Sequence, residues 1–142
     1  MPRAALLLCT LLWLAPTPIV AGEPALVVIV HPDRATAGLT REQLRTMYLR
    51  QRRFWDDGKP VVALNRESGS AARETFSRRV LGAASADLIA YWNEQYFDGV
   101  FPPPTLSSGT AVKRYVAADR NAIGYVEVHD LDDSVHVLLR LE

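Results

Sequence analysis

The chain has 142 residues, with 16 basic and 16 acidic side chains and a formal net charge of +0. That length suits one domain, and the charge balance excludes nucleic-acid binding by bulk electrostatics. The one cysteine, Cys9, lies in the N-terminal apolar stretch, so the remaining chain has no disulfide, thiol nucleophile or thiolate metal site.

Residues 1–22 read as a signal peptide. Arg3 gives a positive start, Ala4 to Ala15 is almost wholly apolar, and Val20-Ala21-Gly22 supplies small residues for cleavage. The apolar run is short for a bilayer span, and Pro16 and Pro18 break it, so no stable membrane span is expected after cleavage. Removal leaves about 120 residues, residues 23–142, enough for one modest core held without disulfides.

Ala25 to Val30 is a continuous apolar, β-branched run, the pattern of a strand buried on both faces; His31-Pro32-Asp33 ends it. Thr40-Arg41-Glu42-Gln43 fits a capping box, and the helix behind it sets Leu44, Met47 and Tyr48 on one face, with Leu39 placed to staple onto it. A loop follows from Arg50 to Pro60. Asp57-Gly58 turns it, the pair Phe54-Trp55 is expected to tuck beneath, and the arginines face solvent. Val61 to Leu64 forms the second strand.

Next comes Asn65-Arg66-Glu67-Ser68-Gly69-Ser70-Ala71-Ala72-Arg73-Glu74-Thr75-Phe76. A helix begins near Ser70, turns Ala72, Phe76, Val80 and Leu81 inward and stops at Gly82. An arginine, serine hydroxyls and free N–H groups at a helix start are the chemistry of an anion site. The same residues also fit a capped helix start beside a solvated arginine.

Ser85 is placed to cap a third helix, whose face carries Leu88, Tyr91, Trp92, Gln95 and Tyr96 before Gly99 stops it. Val100-Phe101-Pro102-Pro103-Pro104-Thr105 is a rigid extended crossing. Ser107 or Ser108 caps a fourth helix with Val112, Tyr115 and Val116 inward. Asn121 to Val126 is a turn and strand in which Gly124 admits a close neighbour; Asp130, Asp132 and Asp133 form a solvated loop, and Val135 to Leu139 is the last strand. Alternating strands and helices imply an α/β fold: a mixed, mostly parallel sheet flanked by helices.

No catalytic pattern emerges, so an enzyme is not expected. The histidines, His31, His129 and His136, lack metal-ligand spacing, and neither a nucleophile elbow nor a P-loop is present. Neither a metal nor a cofactor is expected. Asp56-Asp57 and Asp132-Asp133 are adjacent pairs in turns, unsuited to concerted acid–base work.

Asn65 to Phe76 resembles the R-x-D-G-S-G-T-x-x-x-F segment of the phosphate-binding proteins of bacterial ABC transporters. Leu39 to Leu44, the loop through Phe54 to Gly58, and Asn121 to Glu127 resemble further segments of that family in the same order. The resemblance implies one lobe of a type 2 periplasmic binding protein. It gives Arg66 the role of charged donor, Ser70 that of hydroxyl donor, and Gly69 and Ala71 those of backbone donors, with Arg73 as an auxiliary charge. Ser68 stands where the family has an aspartate, and Ala72 where it has a hydroxyl residue. The expected ligand is phosphate or a related oxyanion, bound in the periplasm. A second copy in a homodimer would complete the clamp, or the lobe would serve an ABC permease, sensor or porin, if need be as an interaction module without tight binding.

Overall fold

A computed structural model describes residues 1, 21–34 and 38–142. The signal-peptide expectation falls on residues outside these, apart from the segment's ends. Among the described residues, no helix is long and apolar enough to cross a membrane.

Strand β1, Leu26–Val30, is wholly buried. It is the second-last strand of a four-stranded sheet, between β5 (Ala122–Glu127) and β6 (His136–Leu141), and antiparallel to both. The sheet's far edge is β2, Val62–Ala63, parallel to β5. Three strands therefore run one way and β1 runs against them. The fold is mixed α/β as expected, but parallel pairing does not dominate its main sheet. Strand–helix alternation fixes how many elements form; it does not fix which strands become neighbours. Here β5, which comes late in the chain, lies between β2 and β1.

The alternating faces of β1 feed two cores. Leu26, Val28 and Val30 pack with Leu44, Met47 and Tyr48 of α1 (Arg41–Tyr48) and with Phe76 and Tyr125. Val27 and Ile29 pack with Val112 and Val116 of α4 (Gly109–Ala118). Helices thus cover both faces. Helix α1 starts at the expected capping box: Gln43 N–H donates to Thr40 Oγ1 at 3.1 Å, and Thr40 N–H to Gln43 Oε1 at 2.9 Å. Leu39 is buried in the same core, where a staple would lie.

After β2 the chain leaves the main sheet. Asn65–Arg66, β3, pairs in parallel with Thr105–Leu106, β4. The expected strand, Val61 to Leu64, is thus confined to Val62–Ala63, and a second short strand forms at Asn65–Arg66 in the stretch read as a turn. Helix α2, Ala71–Phe76, continues as a wider turn over Ser77–Leu81 and ends at Gly82, whose φ of 76° is the left-handed conformation of a helix stop. Ala72, Phe76, Val80 and Leu81 are buried as the spacing predicts.

Other expectations need correction. Ser85 does not cap; it lies inside a 3-10 turn, Ser85–Leu88, that leads into α3, Ile89–Phe97. Leu88, Tyr91 and Trp92 meet the core, but Tyr96 is 62% exposed. Ser108, not Ser107, caps α4, and Tyr115 lies outward because Val112 and Val116 already fill that interface. In the arginine-rich loop Trp55 is buried, its Nε1 donating to Asn121 O at 3.0 Å beneath the Arg34 guanidinium, whereas Phe54 is exposed. Nor is the acidic loop simply solvated: Asp132 pairs with Lys113 Nζ at 2.7 Å.

Candidate functional site

The site is built where β3 passes into α2. Arg66 is only 6% exposed although it carries a full charge. Its Nε and Nη2 donate to the two oxygens of Glu67 at 2.9 and 3.2 Å, a two-point fork on a carboxylate. Burial works against the Arg66 charge, but the bonds to Glu67 and the nearby Glu67 and Glu127 charges outweigh it and raise the guanidinium's pKa. The same fork holds the Glu67 carboxyl below its usual range. The third nitrogen, Nη1, is buried without a partner among the described residues. It faces Gly109, where an added Cβ would lie 3.2 Å from it and 2.1 Å from Asp130 Oδ2.

Behind the arginine, Asn65 and Tyr125 fix the backbone. Arg66 N–H is shared by Asn65 Oδ1 at 3.0 Å and the Tyr125 hydroxyl oxygen at 3.2 Å, and the Tyr125 hydroxyl donates to Asn65 Oδ1. Tyr125 is held upright by Phe76, stacked on it at 3.9 Å. The turn then climbs through Ser68 and Gly69, both exposed, with Gly69 at φ 80°, where only glycine sits without strain. Ser70 caps α2: its Oγ accepts from Arg73 N–H at 3.2 Å and donates to Glu67 O at 3.0 Å. Ala71, the first helical residue, is exposed and its N–H has no intrahelical partner, whereas Ala72 is buried in the core. Arg73 folds back, its Nη1 donating to Arg66 O at 3.1 Å.

The expected set therefore forms one contiguous turn. Ser70 is both a cap and a hydroxyl at the helix start, Ala71 is exposed beside it, and Arg73 touches the backbone of Arg66. The arginine's fork, however, is already engaged by a carboxylate. Spacing alone overlooks Glu67, Asn65, Tyr125 and Asp130. A carboxylate directly next to the arginine was the one available sign of the first.

A model of the PBP superfamily domain matches residues 17–137. The chain belongs to this superfamily. Solved structures share the fold. A Vibrio cholerae ABC-type phosphate transport receptor is 22% identical, with a TM-score of 0.65 over 81% of this chain and 45% of its own. A Clostridium perfringens structure, named as a phosphate ABC transporter substrate-binding protein with bound phosphate, is 24% identical, with a TM-score of 0.67 over 81% of this chain and 44% of its own. PstS from Borrelia burgdorferi is 15% identical, with a TM-score of 0.62 over 81% of this chain and 46% of its own. The PBP-superfamily chain thus spans less than half the length of each of these proteins.

Proposed function

We propose that this chain is an exported oxyanion-binding protein, not an enzyme, that takes phosphate or a close relative at Arg66 to Ala71. In this reading residues 1–22 direct export to the periplasm and residues 23–142 form the binding lobe. Arg66 supplies the fixed charge, Ser68 and Ser70 hydroxyls, and Gly69 and Ala71 N–H donors, with Arg73 adding charge from the first turn. One observation carries it: Arg66, a buried arginine, stands four residues before the Ser70-capped start of α2, and the first helical residue, Ala71, is exposed. The similarity to structures named for phosphate transport supports the same reading. An ABC permease that accepts the anion from this lobe is the natural partner.

A single lobe leaves its anion partly in water, where each ionic contact is weaker than in a closed cleft. Titrated by itself, this lobe is therefore expected to bind more weakly than a closed cleft would. Calorimetric titration with phosphate and with sulfate tests the proposal. Saturable heat is expected in the wild type and its loss in Arg66→Ala. No heat from either anion up to on the order of 10 mM, a binding energy below about 3 kcal/mol, would sink it.

A further inference from the structure

A partly enclosed cleft of about 100 Å³ lies between α2 and the segment from Ser85 to Trp92. Its walls are mainly apolar, formed by Phe76, Leu88, Trp92 and Pro103. Five residues with polar side chains also line it; Tyr48 and Ser77 donate their hydroxyls to the backbone at Leu64 O and Ala83 O, and the other three have hydrogen-bonding capacity to spare. Asn65 is buried and its Oδ1 is taken by Arg66 N–H and the Tyr125 hydroxyl, so its amide donors remain for the cleft. Arg73 is tethered through Nη1 alone, on Arg66 O at 3.1 Å, which leaves Nε and Nη2. Ser85 Oγ is buried with no partner among the described residues.

The cleft is rich in donors, and no carboxylate lines it among the described residues. Glu74, next to Arg73 in sequence, accepts from Ser85 N–H at 3.5 Å and lies 3.7 Å from Arg78. Such a lining calls for an acceptor head on an apolar body. Small-molecule sites commonly combine apolar walls with a few converging polar groups. Inorganic phosphate fits poorly, because its remaining oxygens would lie unmatched against Leu88 and Trp92. A carboxylate has two acceptors in one plane, suited to a guanidinium, and its hydrocarbon tail suits the walls.

We propose that this cleft is a second ligand site, for a short-chain monocarboxylate. Its carboxylate pairs with Arg73 and the Asn65 amide, and its alkyl tail packs on Trp92 and Phe76. The cleft shares Arg73 with the proposed oxyanion turn but does not use the Arg66 guanidinium.

Titration of the full chain with butyrate, followed by calorimetry and tryptophan fluorescence, tests it. Saturable binding and a fluorescence change that Trp92→Phe abolishes are expected. Arg73→Met is expected to weaken butyrate at least about tenfold, the worth of one charge-assisted hydrogen bond. Butanol, with the same tail and no charge, is expected to bind correspondingly worse. In the unmodified protein, butyrate is expected to move the NMR resonances of the Asn65 side-chain amide and of Ser85, a readout that does not depend on any variant folding. Because Arg73 lends charge to both sites, saturating phosphate is expected to weaken butyrate binding without abolishing it. Arg66→Ala, by contrast, is expected to remove phosphate binding and leave butyrate binding, so either site can fail without the other. Absence of saturation at on the order of 10 mM overturns the assignment. So does undiminished affinity in a folded Arg73→Met, a fluorescence change that survives in Trp92→Phe, or resonances of Asn65 and Ser85 that stay in place.

Discussion

Arg66 has five N–H groups and one carboxylate partner, and that imbalance governs what the site can do. Glu67 occupies Nε and Nη2, while Nη1 is buried and unpartnered. An anion that uses the arginine's fork must therefore displace Glu67, whose side chain is 37% exposed and free to swing into water. Replacing Glu67 by Gln keeps the size and removes the competing charge. Phosphate affinity is expected to rise about tenfold, the size of one charge-assisted hydrogen bond, in the titration used for Arg66→Ala. Unchanged affinity would show that the anion is held by the helix start and not by the fork. Ser70 and Arg66 were readable from sequence because capping and charge are local properties. The engagement of Glu67 was not, since an acid beside an arginine can as readily point into solvent.

The contact between β5 and α4 depends on a residue with no side chain. A Cβ on Gly124 would lie 2.4 Å from Val112 Cγ1, well inside normal packing distance, and 3.4 Å from Val116 Cγ2, an ordinary contact. Gly124→Ala is therefore expected to cost about 1–3 kcal/mol through overpacking, read as a lower urea midpoint at unchanged slope. Val112→Ala should recover part of that loss in the double variant, because the two side chains compete for one space. Additive losses would mean that the strand, not the helix contact, had been disturbed. A close neighbour at Gly124 was legible in the sequence; that it is a valine of α4 was not. The same distinction recurs in the helices. Leu44, Met47 and Tyr48 were correctly placed inside because apolar spacing and burial agree on α1. On α3, Tyr96 has the right spacing, yet α3 overhangs the core and leaves it exposed. Spacing identifies a helix face, but only the tertiary contacts show how far along the helix that face remains covered.

The molecule as a whole stands on one sheet with a core on each face, and the larger of these has two phenols at its centre. Tyr48 and Tyr125 are 1% and 0% exposed, their rings 5.9 Å apart, and both touch Phe76. Tyr48 donates to Leu64 O at 2.8 Å, and Tyr125 bridges Asn65 and the Arg66 backbone, so the two hydroxyls join the sheet core to the turn that carries Arg66. Desolvation by burial raises both phenol pKa values above the ordinary tyrosine range; for Tyr48 the Tyr125 charge adds to it, and in each case a backbone hydrogen bond only partly offsets it. The folded state therefore keeps protons that the unfolded chain releases near pH 10. Stability from these two groups is full below that value and is lost as pH rises through it toward the folded pKa values. The loss approaches about 1.4 kcal/mol per pH unit for each tyrosine, since one pKa unit corresponds to that energy. Urea midpoints measured from pH 8 to 11.5 are expected to hold level and then fall steeply from about pH 10. Tyr48→Phe forfeits the bond to Leu64 O, about 1 kcal/mol at every pH, so its curve starts lower. Its alkaline slope should nevertheless be shallower, because one of the two buried protons is no longer at stake. A level profile through pH 11, or a variant slope as steep as the wild type's, would show that these phenols do not anchor the core.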